Sequence, residues 1–398
     1  MRELQHDRPR VAVLLSGREK FGAYYGGALA RWTYEVYRHL SDRVDVTVFG
    51  FPTSEADRYP LPHESSQAWR LCTVMGRVPL ARRYEEPLWL RALVGRLRRY
   101  AVVHIHNRPQ WAVILRRLGY TGVLIVHLQN DHLGHWSAPM LDALAKHVDA
   151  VVVCSEYLRG TFAPKSPALA EKTRVVFNGV NPELFHPAEE RREPKTIFFV
   201  GRFHPEKGVL PLVSAYAEVL NDHPDAKLVI GGTTGFGTHQ ETAYVKRVRE
   251  TAQSIIRAGR GDIQFPGYIH HDRDLPQWFQ RATIFASPSL FQEPFGLVNA
   301  EAMACGTVVV GSRRGGIPEV LGEAGHLVDP ENIAEFAGAI SSLLANARQR
   351  SELSGASLER VRQLFEWPTI SEQWLRLLTA TLRRDLPNAI GAGSSAAG

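Results

Sequence analysis

Short apolar runs recur along the chain, rich in Val, Ile, Leu and Phe, and most of the stretches between them place apolar residues at helical spacing. In the first half the runs are 10–16, 44–49, 101–105, 123–126 and 151–154. In the second half they are 196–200, 228–230, 263–265, 283–286 and 308–310. Continuous apolar runs of this length, bounded by turn residues, read as strands buried on both faces. Helices are predicted at 28–40, 88–99, 209–220 and 240–257, as two elements between 333 and 365, and from 367 to about 383. The alternation predicts parallel sheets with helices on both sides. Residues 52–66, rich in Pro, Ser and charge, read as a long loop.

The pattern breaks at 178–195, where turn residues and charge gather, and then restarts with a strand, a glycine-containing loop and a helix. A chain of 398 residues exceeds one ordinary core, so two α/β domains are expected, 1–185 and 186–365. The tail 386–398, ending in a Gly/Ala/Ser run, is expected to be disordered.

Composition adds limits. Hydrophobic residues make up 44%, and no run reaches the ~20 apolar residues of a membrane span. The N-terminus has no apolar signal region. Cys72, Cys154 and Cys305 are few and scattered, which fits reduced thiols and a cytoplasmic protein. Net charge is +6, with nine Arg between 82 and 117 against Glu85 and Glu86. That basic stretch leaves contact with an anionic membrane surface open, with a solvated helix face as the plainer account. No motif supports nucleic-acid binding.

Two stretches carry candidate chemistry. The first is 287–306, a strand end, loop and helix with Glu293 on the loop and Glu301 inside the helix. Gly296 clears the way to the amides at the helix start. From Gly296 to Glu301 the helix climbs about 7.5 Å, so one elongated polyol ligand can meet Glu293, the amides near Phe295–Leu297, and Glu301. A loop acid and a helix acid paired with arginines is the plainer account. The second stretch is Gly201–Gly208, where Arg202 and Lys207 offer phosphate-binding cations between a strand and a helix. An Arg–Glu206 contact in a surface turn is the alternative there.

His-rich runs close the strands at 104–109 and 127–132, at the carboxyl ends where ligands of such sheets gather. His104 and His106 share a strand face, but no nearby Cys or carboxylate pattern completes a tetrahedral set, so no metal is expected. Asp272 and Asp274 match a D-x-D pattern, but their place between two strands of the second sheet makes them helix N-terminal acids.

Gly201-Arg-Phe-x-Pro-Glu-Lys-Gly208, Glu293-Pro-Phe-Gly-Leu-Val-x-Ala-Glu301 and Gly315-Gly-Ile-Pro-Glu319 together resemble the retaining family-4 glycosyltransferases of GT-B fold. Asn178-Gly-Val-Asn181 with Phe185 and Pro187 resembles that family's domain junction. Gly26-Gly-Ala, His104-Ile-His-Asn-Arg-Pro109 and Asn130-Asp-His132 are more similar to its spore-coat-associated branch. The resemblance implies two Rossmann-like domains, the first binding the acceptor and the second a nucleotide sugar, most often UDP-linked. A helix over 366–385 would cross back to the first domain.

It further implies a role for each matching residue. Arg202 and Lys207 would hold the donor pyrophosphate, Glu301 the ribose, and Glu293 with the backbone of Phe295, Gly296 and Leu297 the sugar. Gly201 would belong to the donor loop, Gly267 and Tyr268 would lie beside the base, and Gly26 and Gly27 would close over the phosphates. No cofactor and no catalytic metal are implied; the diphosphate leaves with its own charge, which Arg202, Lys207 and the helix-start amides would stabilise. The acceptor, a small molecule, glycan or lipid-linked sugar, would meet His106, Asn107, Asn130 and His132.

One position departs from the family. Its members commonly carry a His where this chain has Gln129; His127 and Asp131 are the neighbours able to take over that role. A carbohydrate-binding or coat-assembly protein that keeps the fold without turnover is therefore the second reading. A phosphorylase-type enzyme using pyridoxal phosphate is a third.

Overall fold

The computed structural model describes residues 8–15, 19–22, 27–55, 57–65, 82–234 and 241–383, with side chains 82–85 excepted. Expectations for Cys72, Gly26 and the tail fall outside these residues. The chain divides into two compact units. One joins the N-terminal segment through Asn178 to the segment starting at Trp367; the other is Gly179–Glu366.

The first unit holds seven strands: β1 (Arg10–Leu14), β2 (Asp45–Gly50), β3 (His63–Ser65), β4 (Val102–His106), β5 (Val123–Leu128), β6 (Ala150–Val153) and β7 (Thr173–Val175). Their order is β3-β2-β1-β4-β5-β6-β7, and every ladder is parallel. The second holds β8 (Thr196–Val200), β9 (Lys227–Gly231), β10 (Asp262–Gly267), β11 (Ile284–Ser287), β12 (Val308–Ser312) and β13 (His326–Val328), also all parallel, in the order β10-β9-β8-β11-β12-β13. The strand order of each sheet reverses once, between β1 and β4 and between β8 and β11. Such switch points open a crevice at the strands' carboxyl ends.

The helices that matter here are α1 (Ala28–Arg38), α2 (Arg82–Leu97), α3 (Pro109–Arg117) and α4 (Ala138–Ala145) in the first unit. In the second they are α5 (Val209–Asp222), α6 (Ala243–Arg257), α7 (Leu275–Arg281), α8 (Leu297–Ala304), α9 (Ile333–Ala345) and α10 (Ala347–Leu364). The last helix, α11 (Trp367–Arg383), belongs to the first unit and packs on α1. Its Trp367, Ile370, Trp374 and Leu378 are buried with Trp32, Val36 and Tyr37 of α1. Each such side chain contributes about 1.5–3 kcal/mol when fully buried.

Several boundaries differ from the sequence expectation. The long loop at 52–66 contains β3, and β7 and β13 also escaped notice. All three are three-residue strands at or near a sheet end and only partly buried, so they lack a full apolar run. Helix α2 starts at Arg82 rather than 88, with Pro87 inside it. It buries Trp89, Leu90, Leu93 and Leu97 and exposes Arg91 and Arg96. The second unit begins at Gly179, not 186, because 180–187 packs within it. The Val180 N–H donates to the Phe365 carbonyl, Gln280 Nε2 donates to the His186 carbonyl, and the Phe185 ring meets His271 and Phe279. Asp274 stands at the start of α7 without capping it; its carboxylate pairs with Arg273, and Asp272 binds His271.

Candidate active site

In the second unit, the loops after β8 and β11 meet at the switch point. Gly201, Arg202, Lys207, Ser289 and Glu293 help line one cavity of about 220 Å³. The loops are locked by glycines. Gly208 has φ 69° and a Cβ there would strike the Pro288 carbonyl oxygen; Gly315, φ 62°, lies against the backbone of Glu293. The N–H of Gly316 donates to the Glu293 carbonyl at 2.7 Å, and that of Gly315 to Gln292 Oε1 at 2.7 Å. Glu293 is therefore held from behind by its own backbone.

Within the cavity, Lys207 Nζ donates to Glu293 Oε1, which also accepts from Ser289 Oγ at 3.0 Å. The alternative, an Arg202–Glu206 contact, does not form. Arg202 is exposed and its guanidinium has no partner among the described residues, while Glu206 lies 3.2 Å from His204 Nδ1. The cavity thus presents one unpaired cation and one cation shared with a carboxylate.

Gly296 starts α8 with φ 84°, and Asn299 Nδ2 folds back to its carbonyl at 3.0 Å. The N–H groups of Gly296 and Leu297 have no acceptor among the described residues, as at any helix start. Phe295 is buried edge-on against Phe365, so its side chain anchors the loop. One turn along α8, Glu301 is buried. Its Oε1 accepts from His271 Nε2 at 2.6 Å, and its Oε2 has no partner among the described residues. Gly267, φ 80°, ends β10, and Tyr268 beside it is exposed.

In the first unit, Asn107 directly follows β4 in the left-handed region, φ 51°, a conformation Asn tolerates best after Gly. Its N–H donates to the His127 carbonyl, and its Oδ1 accepts from the Gln129 N–H at 2.7 Å, tying the ends of β4 and β5 together. His127 and Gln129 are buried, and Asn130 and Asp131 are exposed. Asp131 accepts from the Gly134 N–H at 2.6 Å and from Thr161 Oγ1 at 3.2 Å. His132 is partly buried, its Nε2 has no partner among the described residues, and burial lowers its pKa.

His106 and His127, placed by sequence among the ligand-facing groups, lie instead with His104 in a sealed cluster. Their rings pack on Trp32, and those of His104 and His127 also on Trp374. Because β4 and β5 pair in register, His106 stands beside His127. Nitrogens of all three converge within 4.8 Å, a third imidazole that the H-x-H spacing alone did not provide. Burial pushes His104 and His127 well below the usual imidazole range and His106 to about 3.

At the start of α1, Gly27 is the N-cap residue. The anion position there is taken by Glu19, which accepts from the Ala30 N–H at 2.9 Å.

Residues 25–184 match the family model described as Glycosyltransferase Family 4, and residues 180–360 the one described as Glycosyl transferases group 1. Alpha-maltose-1-phosphate synthase of Mycobacterium tuberculosis (strain CDC 1551 / Oshkosh) is 33% identical over 404 residues, spanning 92% of this chain and 98% of its own. The chain belongs to the family-4 glycosyltransferases.

Spore coat protein SA of Bacillus subtilis (strain 168) is 28% identical over 297 residues, 70% of this chain and 78% of its own. Among solved structures, Anabaena Alr3699/HepE in complex with UDP superposes with a TM-score of 0.72 at 21% identity, covering 94% of this chain and all of that one. The two Rossmann-like units of this family-4 glycosyltransferase are those of the GT-B fold. No helix among the described residues is long and apolar enough to cross a membrane.

Three participants escaped sequence reasoning. His271 lies thirty positions from Glu301 and carries no motif. Ser289 sits four residues before Glu293 in a loop of unspecified shape. Glu19 precedes α1 across a gap in the apolar pattern. Long-range packing brings His271 to Glu301, whereas Ser289 and Glu19 reach their partners through the shapes of their own loops.

Proposed function

We propose that this family-4 glycosyltransferase moves a sugar from a nucleoside diphosphate, a UDP-sugar in the first instance, to an acceptor hydroxyl with retention and without a metal. The observation that carries the reading is the unpartnered Arg202 beside Lys207–Glu293 at the switch point of the second sheet. A pyrophosphate there gains Arg202 and competes for Lys207. As Lys207 turns to phosphate, Glu293 is released to accept from sugar hydroxyls. The free amides of Gly296 and Leu297 face the same ligand, and Glu301 Oε2 is a buried acceptor for which a ribose hydroxyl is a fitting donor.

Negative charge grows on the diphosphate as the glycosidic bond breaks. Fixed cations and amides stabilise it without reorganisation, so no general acid is needed for the leaving group. The anomeric carbon becomes oxocarbenium-like. Attack from the face the diphosphate leaves keeps the configuration, a phosphate oxygen taking the acceptor's proton. Anabaena Alr3699/HepE, whose structure contains UDP, supports the choice of base. The reaction is assigned to the cytoplasm, and exposed Arg91 of α2 suits contact with an anionic membrane surface, Arg96 being paired with Glu64.

The test is a thermal-shift screen against UDP-, GDP-, dTDP- and ADP-sugars, with and without Mg²⁺, followed by turnover assays. A Mg²⁺-independent shift with one nucleotide class supports the donor site; a ligand at 100 times its Kd adds about 2.7 kcal/mol. Donor binding without product from any acceptor favours the carbohydrate-binding reading, which Gln129 motivates. No shift with any donor, in a folded protein, overturns glycosyl transfer and leaves the carbohydrate-binding reading.

A further inference from the structure

Five buried groups of the first unit form one line of hydrogen bonds. Trp374 Nε1 of α11 lies 3.2 Å from Tyr37 Oη of α1, which lies 3.2 Å from His104 Nδ1 on β4. His104 Nε2 lies 3.3 Å from His127 Nδ1 on β5. His127 Nε2 lies 3.0 Å from the carboxamide of Gln129, just past the end of β5. The first four groups have no solvent exposure, and Gln129 is 9% exposed.

The line has a direction. An indole N–H only donates, so the Tyr37 oxygen accepts from Trp374. The hydroxyl hydrogen then has one neighbour among the described residues able to receive it, His104 Nδ1. If that nitrogen carried the proton instead, Tyr37 would face two donors and its own hydrogen would be sealed in without an acceptor, a penalised arrangement. Each imidazole is neutral in this setting and has one donor and one acceptor nitrogen. His104 therefore carries its proton on Nε2 and donates to His127 Nδ1. His127 in turn carries its proton on Nε2 and donates to Gln129. The two ends of a carboxamide are isosteric and are told apart by their partners. The end facing His127, placed as Nε2, is thereby reassigned as Oε1.

We infer that Trp374, acting through Tyr37, His104 and His127, fixes Gln129 with its NH₂ turned away from the cluster, so that Gln129 donates a hydrogen bond to an oxygen of the sugar substrate. Gln129 lies at the carboxyl end of its strand, where a ligand of this sheet is expected. Its amide end away from His127 has no partner among the described residues. Pointed this way, it binds a ring, glycosidic or hydroxyl oxygen through a lone pair and takes no proton from the acceptor. Trp374, Tyr37, His104 and His127 are positioning residues. Only the identity of the ligand rests on the proposed glycosyl transfer; the direction of the line does not.

The first test is spectroscopic and uses the full chain. In ¹⁵N-histidine-labelled protein at neutral pH, two-bond ¹H–¹⁵N correlations of the imidazoles should show His104 and His127 both protonated on Nε2, with assignment by His104→Gln and His127→Gln. Either ring protonated on Nδ1 overturns the inference. Trp374→Phe removes the group that sets the direction and should give mixed tautomers at both rings; retention of pure Nε2–H forms would remove Trp374 from the argument. In turnover assays, Gln129→Glu keeps the shape but offers the ligand only acceptors, and should raise KM about tenfold or more. An unchanged KM overturns the donor role. If the protein turns over no nucleotide sugar, the tautomers still decide the line, so the two readings fail separately.

Discussion

His271 Nε2 lies 2.6 Å from Glu301 Oε1, while its Nδ1 lies 2.7 Å from Asp272 Oδ1. One imidazole on the loop after β10 thus bridges a carboxylate inside α8 and a carboxylate next to itself in sequence. With Oε1 held, Glu301 has one orientation and one free lone-pair face, and that face is what a ribose would read.

Replacing His271 by Ala should therefore loosen Glu301 without touching the phosphate cations. KM for the nucleotide sugar is expected to rise about tenfold, equivalent to about 1.4 kcal/mol, with kcat changed much less. Steady-state kinetics with donor varied at saturating acceptor checks this. A fall in kcat at constant KM would place His271 in the chemical step instead.

Arg202→Ala and Lys207→Ala should lower kcat by about 10²–10³, the loss typical of one preorganised charge-stabilising group. Lys207→Met also leaves Glu293 partly buried without its cation. Stability should fall by about 1–2 kcal/mol and recover in the Lys207→Met/Glu293→Gln double variant. Urea denaturation of the four proteins of the cycle measures the coupling, and strict additivity would deny it.

Gly208→Ala tests the frame of the cavity. The position has φ 69°, and its Cβ would run into the Pro288 carbonyl oxygen. Two independent penalties should destabilise the protein by at least about 2 kcal/mol. A matched denaturation midpoint with wild type would show that the two loops separate freely.

Acid should unfold the first unit early. Burial lowers His104 and His127 well below the usual range, His106 to about 3 and His63 to about 4. The unfolded chain takes up these protons near pH 6.5, while the folded chain does not. Their stability is present above about pH 6.5 and is lost as pH falls below it. The denaturation midpoint, followed by tryptophan fluorescence, should drop steadily from about pH 7 to pH 5; a flat midpoint would show the cluster to be protonated in the native state.

Glu19 has the opposite sign. Burial raises its carboxyl to about 7, against the lowering effect of hydrogen bonds from the backbone of Ala30, Leu29 and Gly27. A raised pKa means stability that is present below the unfolded value and lost as pH rises through about 7. Glu19→Gln should therefore gain on wild type above neutrality, by up to about 2–3 kcal/mol. A thermal melt series from pH 6 to about pH 9 tests this, and equal slopes for the two proteins would count against it.

The motifs at 201–208, 293–301 and 315–319 could be read from the chain because each is local: a few turn residues between a strand and a helix dictate the loop. The parallel strands were legible for a related reason, since burial on both faces leaves an unbroken apolar run. What escaped was of two kinds. Edge strands such as His63–Ser65 are only partly buried and so carry no such run. Partnerships such as His271 with Glu301, or His127 with His104, depend on strand order and register, which single-chain periodicity does not encode. Read from the sequence alone, His106 and His127 face ligands because they lie at strand ends. Register and the ring of Trp32 put them inside instead.

The helix Trp367–Arg383 has a consequence for the order of synthesis. It supplies Trp367, Ile370, Trp374, Leu377 and Leu378 to a core whose other buried residues lie before Asn178. A growing chain therefore presents the whole of Gly179–Glu366 to solvent before the last piece of the first unit leaves the ribosome. The usual rule that domains mature from the N-terminus onward is inverted here: the second unit can close first, while the first waits with an open apolar face until Trp367–Arg383 has been made.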